Sequence, residues 1–265
     1  MVRALGLLAL VLALFAGPRE ARAGEVDLAL VLAVDISYSM DLDELALQRE
    51  GFAAAFRSRE VKDAIGRGML GRIAVAYLEW AGAGEQRVSV PWTVIDGPAA
   101  ADAFADKVAA VPVRRARRTS ISGAIDASVR LLEASPHEAA RKVIDVSGDG
   151  PNNEGRPVTL ARDAALAQGI TINGLPLQLK EPGWLDLEEL DVYYRDCVIG
   201  GPGAFMVPAR SKAEFQQAIK TKIILEIAGV PVPGIGGDAL APVPAQERRT
   251  NCMIGEIQWR DRMGN

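Results

Sequence analysis

The run Leu28-Ala-Leu-Val-Leu-Ala-Val34 constrains this chain more than any other segment. It is unbroken and apolar, so it reads as a strand buried on both faces of a parallel sheet. It stops at Asp35-Ile-Ser-Tyr-Ser39, which places an acid and two hydroxyls where a core strand ends. In an open parallel α/β sheet the crevice at the carboxyl ends of the strands is where ligands bind. Residues two apart in an extended turn point the same way, so Asp35, Ser37 and Ser39 can converge on one point. Three hard oxygen donors without Cys or His suit Mg²⁺, Mn²⁺ or Ca²⁺ rather than zinc or copper.

The rest of the pattern alternates strand and helix, which implies a mostly parallel sheet covered on both faces. Strands are predicted over 26–35, 71–80, 142–147, 170–178 and 204–207, with 86–93 as a short antiparallel edge strand. Helices are predicted over 41–56, 99–109, 120–133, 158–168, 185–194 and 213–227. The expected architecture is a doubly wound α/β fold with six strands. After Gly229, residues 230–249 are rich in Pro and Gly and read as a linker, and 250–265 as a short tail. Gly200-Gly-Pro-Gly203 lacks the spacing of a nucleotide-binding loop and reads as a turn.

Two later segments complement the first. Arg118-Thr119-Ser120-Ile-Ser-Gly123 opens a helical pattern with a hydroxyl at its first turn, and Gly148-Asp149-Gly150 follows the strand-like Lys142–Ser147. Asp-x-Ser-x-Ser, a Thr about 80 residues on and an Asp-Gly after a strand resemble the three parts of the metal-ion-dependent adhesion site of von Willebrand factor A domains. Asp35, Ser37 and Ser39 match the first part, Thr119 the second and Asp149 the third. The resemblance spans roughly Val26 to Gly229 and points more closely to a group of bacterial secreted proteins with this domain and no assigned activity. It implies a Rossmann-like sheet and one divalent cation, Mg²⁺ first with Mn²⁺ or Ca²⁺ as alternatives. It also implies a protein partner whose acidic side chain completes the coordination.

Each part has a plainer reading: Ser37 and Ser39 as caps of the helix after Asp41, Thr119 as a cap, Asp149 as a turn acid. Asp145 falls inside its strand, so it is expected to be a structural, paired acid whose partner the sequence does not name. Arg114-Arg-Ala-Arg-Arg118 is either a solvated basic loop or a source of guanidiniums beside the cation, with Arg117 and Arg118 nearest. Asn152 and Asn153 are expected on the same rim.

Residues 1–23 read as a secretory signal: Arg3, an apolar stretch of 13 residues from Ala4 to Ala16, and Ala21-Arg-Ala23 as the cleavage site. The stretch falls short of the roughly 20 residues a membrane span needs. The expectation is an exported protein, periplasmic or secreted, with no span in the mature chain. The full chain carries a formal charge of −4, and without Arg3, Arg19, Arg22 and Glu20 it has 27 basic against 33 acidic side chains. That acidity argues against a nucleic-acid partner. In an oxidising compartment Cys197 and Cys252 are expected to pair and tie the tail back, the other reading being two unrelated buried thiols. The functional expectation is a binding protein. The alternatives are a metal-assisted hydrolase or phosphatase, and a metal-free scaffold.

Overall fold

The opening apolar run forms β1 (Val26–Asp35), the central strand of the sheet. The structure is a computed structural model that describes residues 24–180, 183, 187–229 and 250–263. The expected signal segment and linker lie outside the described residues. β1 pairs in parallel with β2 (Ile73–Trp80) on one side and β4 (Ala139–Gly148) on the other. β3 (Gln86–Ile95) runs antiparallel on the outer side of β2, and β5 (Thr171–Pro176) parallel on the outer side of β4. The order is β3-β2-β1-β4-β5.

The two-residue period of β1 divides the core. Leu28, Leu30, Leu32 and Val34 face one layer with Phe52, Phe56, Phe104, Phe215 and Ile219. These aromatic and aliphatic side chains come from α1 (Leu42–Arg57), α3 (Pro98–Ala109) and α7 (Lys212–Ala228). Ala29, Val31 and Ala33 face the other layer with Ile121, Ile125, Val158 and Tyr193. That layer comes from α4 (Ile121–Glu133), α5 (Val158–Leu166) and α6 (Leu190–Tyr193), the last running into a wide π-type turn over Tyr194–Val198. The fold is therefore α/β with helices on both faces.

The expected sixth strand, 204–207, is the main correction: the sheet has five strands. The segment does run parallel beside β5, and Gly174 N–H donates to Phe205 O while Gln178 N–H donates to Ala209 O. Between these two donors stands Pro176, which has no N–H. The ladder loses its middle rung and survives only as isolated bridges. Two helices were not expected. α2 (Arg59–Gly66) starts at Ser58, whose hydroxyl accepts from Val61 N–H, and α8 (Ile254–Met263) occupies the tail.

Asp145 is buried in β4 and its partner is Lys222 of α7, with Nζ 2.9 Å from Oδ1. Glu226, one turn further along α7, also pairs with Lys222 and accepts from Asn173 Nδ2. Burial pushes the Asp145 carboxyl up to about 7; the Lys222 ammonium opposes the shift and the Glu226 charge adds to it. Cys197 and Cys252 form a disulfide.

Candidate cation site at the carboxyl edge of the sheet

Parallel pairing brings the ends of β1 and β4 together, with Val34 opposite Ser147. Gln48 of α1 pins the two ends: its Nε2 donates to Asp35 O at 3.0 Å and its Oε1 accepts from Ser147 Oγ at 3.0 Å. Past the pin the chains turn outward, and the side chains singled out by the sequence meet. Asp35 is fully buried and its Oδ1 accepts from Ser37 N–H at 2.7 Å. Ser37 and Ser39 share a hydrogen bond between hydroxyls at 2.7 Å, and Ser39 Oγ donates to Asp149 Oδ1 at 2.6 Å. Thr119 lines the same cleft as Ser37, Ser39 and Asp149. Asp35, Ser37, Ser39 and Asp149 are linked through these hydrogen bonds, and Thr119 comes to the same cleft from a third loop.

The capping readings do not hold. Asp41 caps α1, accepting from Glu44 N–H while Glu44 Oε2 accepts from Asp41 N–H. Ser120, not Thr119, caps α4 and accepts from Gly123 N–H. Ser37, Ser39 and Thr119 are thus left out of helix capping.

The donor set fits a cation. Asp35 Oδ2 is buried and has no hydrogen-bonding partner among the described residues. A Cβ on Gly148 would lie 2.8 Å from that oxygen, so the glycine keeps the space beside it open. Burial, and next the charge of Asp149, hold the Asp35 carboxyl well above the usual range, against the pull of the Ser37 and Asp149 amides. Two close acids with desolvated oxygens need either a proton or a positive ion.

The surroundings show which expected rim residues stand at the site. Arg117 is exposed and lines the cleft. Arg118 adopts the left-handed region, φ 73°, the one non-glycine among the described residues to do so. Its guanidinium lies 3.8 Å from the centre of the Trp259 ring. Asn153 brackets Thr119, its side-chain oxygen accepting from Thr119 N–H and its own N–H donating to Thr119 O. Asn152 is corrected: it is fully buried and braces the rim from beneath. Its Oδ1 accepts from Ser122 N–H, and its Nδ2 donates to Glu256 of α8 at 2.7 Å. Tyr38 stands exposed under the Arg115 guanidinium.

Two features of the site were not read from the sequence. Lys180, after β5, donates from Nζ to Ser39 O and lies 3.7 Å from both Asp149 Oδ2 and Glu44 Oε2. α8 supplies Gly255, Gln258, Trp259 and Arg262 to the far wall, closing a cleft of about 700 Å³ over the loops.

Solved structures share this architecture. A pilus adhesin, SpaC from Lactobacillus rhamnosus GG, superposes with a TM-score of 0.57 at 14% identity over 76% of this chain and 31% of its own. A von Willebrand factor type A protein from Catenulispora acidiphila gives 0.54 at 15% identity, over 76% and 43%. The proximal thread matrix protein 1 of the mussel byssus, solved with a zinc-occupied metal-ion-dependent adhesion site, gives 0.53 at 14% identity, over 78% and 50%. The match spans half or less of each of those chains. The fold is that of a von Willebrand factor A domain. A family model described as "Protein of unknown function (DUF1194)" matches residues 25–231, and the chain belongs to that family. No curated protein matches the sequence.

Proposed function

We propose that this is an exported binding protein that uses a divalent cation to engage an acidic group of a protein partner. The observation that carries the reading is Asp35 Oδ2, a buried carboxylate oxygen without a hydrogen-bonding partner among the described residues, next to the linked hydroxyls of Ser37 and Ser39. Asp35, Ser37, Ser39, Thr119 and Asp149 would hold the ion, Mg²⁺ first and Mn²⁺ or Ca²⁺ as alternatives. The bound cation supplies a Lewis acid with an exchangeable position for a carboxylate oxygen.

The chain's own residues set the rest. The three hydroxyls add oxygen donors without adding charge, so two carboxylates balance a divalent ion and leave no excess negative charge to repel an acidic partner. Arg117 at the rim adds positive charge beside the incoming group. The cleft walled by Trp259 and Arg262 admits a projecting side chain or chain segment. The zinc-occupied adhesion-site motif of the mussel protein supports a cation in a site of this kind, and the adhesin supports binding as its use. Binding is favoured over metal-assisted hydrolysis because the described lining offers no histidine, and no carboxylate besides Asp149, as a general base. Export accords with the disulfide.

The test is a pull-down from extract with Mg²⁺ or with chelator, on wild type and Asp35→Ala. Proteins should be captured by wild type in Mg²⁺ alone. Capture that persists in chelator and in Asp35→Ala would contradict the reading.

A further inference from the structure

Lys180 stands between two nearly buried acids at the edge of the site. Its ammonium donates to Ser39 O at 2.5 Å and stands 3.7 Å from one oxygen each of Asp149 and Glu44. Those two carboxylates are largely withdrawn from water, with side chains 7% and 3% exposed, whereas Lys180 is 42% exposed. The lysine therefore reaches in from solvent to the outer side of the acids around the cation site. Asp149 lies beside Asp35, Glu44 stands on the other side of the lysine, and desolvated like charges need positive charge close by. Lys180 brings one such charge and a divalent ion would bring two.

Both cannot sit against Asp149 without repulsion. Lys180 also lines a neighbouring cleft of about 590 Å³ with Glu44, Asp149, Arg210 and Lys212, so the ammonium can withdraw toward Glu44 as it leaves Ser39 and the cation side of Asp149. We propose that Lys180 is a tethered counter-ion of the cation site. It balances Asp149 and Glu44 before the cation enters and is displaced from Ser39 and Asp149 when it does. Lys180 thereby sets the cation concentration at which the site fills. This rests on the reading of the site given above.

Repulsion between a single and a double charge about 5 Å apart, at the dielectric of water, would change affinity about tenfold, and displacing the ammonium is the way out only up to that cost, which sets the scale of the effect. The experiment is a Mn²⁺ titration of metal-stripped full-length protein, following the free-ion signal by electron paramagnetic resonance. Lys180→Gln keeps a donor for Ser39 O without the charge, Lys180→Met removes both, and Lys180→Arg keeps the charge. Lys180→Gln and Lys180→Met should half-saturate at about tenfold lower Mn²⁺ than wild type, and Lys180→Arg within twofold of it. Neutral variants that fill at the wild-type concentration or above it overturn the inference while leaving the site intact. Wild type that binds no more Mn²⁺ than Asp35→Ala overturns the site itself, and the inference with it.

Discussion

Gly148 shows how closely the site depends on single atoms. It follows the last inward-facing residues of β4, and a methyl group there would meet Asp35 Oδ2 at 2.8 Å, Tyr194 Oη at 3.0 Å and Trp80 Cζ2 at 3.1 Å. None of these is the far end of a flexible chain. Gly148→Ala is therefore expected to lower stability by about 1–3 kcal/mol through overpacking. It should also abolish any rise in melting temperature with Mg²⁺, because the carboxylate is displaced from its place beside Ser37 and Asp149. A variant that melts and responds like wild type would mean the close contacts relax at little cost. At this scale the placement of Asp35, Ser37, Ser39, Thr119 and Asp149 at strand ends and a helix start was legible, since periodicity marks those boundaries; their role as ligands is the proposal. Lys180 was not: its place follows from the path of the chain beyond β5, which no local pattern encodes. Asn152 was misplaced for a related reason. A polar residue in a Pro-Asn-Asn turn suggests the surface, whereas here its amide satisfies Ser122 N–H and reaches Glu256.

Among the elements, α8 is held by its docking. Ile254, Ile257 and Trp259 are interspersed with charges and make no apolar stripe, so periodicity could not announce a helix. The helix is fixed from outside. The Cys197–Cys252 disulfide precedes it, Thr250 N–H donates to Asp196, and Glu256 accepts from Asn152. Gly255 lets α8 sit on the site loop, since a Cβ there would lie 2.1 Å from Asn152 O. The bond spans a sequence separation of 55, and closing such a loop in the unfolded chain contributes about 4 kcal/mol at most by the entropic account. Cys252→Ser should lower the free energy of urea unfolding by about 2–4 kcal/mol, the smaller value applying if the docked contacts persist. No change would show that the disulfide constrains nothing the packing does not already hold. The lost sixth strand has the same lesson at sheet level. Residues 204–207 carry a strand-like pattern, but the missing donor of Pro176 on the partner strand decides the outcome, and a reading of one segment does not see its neighbour.

The fold of the whole molecule was legible because one buried strand and a regular strand–helix alternation admit few other arrangements. What the alternation leaves open is the buried charge in its core. Asp145, Lys222 and Glu226 put two acids and one base inside the protein, and the Asp145 carboxyl is pushed up to about 7, chiefly by burial. A carboxyl raised in the folded state gives stability that is complete below the ordinary carboxylate range and lost as pH rises through about 7. In chelator, wild type should therefore lose stability between pH 5 and pH 8 relative to Asp145→Asn, which cannot titrate there. Urea unfolding at both pH values checks it, and an unchanged difference would mean Asp145 keeps an ordinary affinity for its proton. The central claim is the cation at the edge of the sheet. Its most direct test is the melting temperature of wild type and Asp35→Ala across a series of Mg²⁺ and Mn²⁺ concentrations and in chelator. A ligand that binds the folded state alone stabilises it by mass action. Wild type should melt at progressively higher temperature as cation rises into the millimolar range, and Asp35→Ala should not respond. A wild type indifferent to cation, or an Asp35→Ala variant with the full response, would contradict the account.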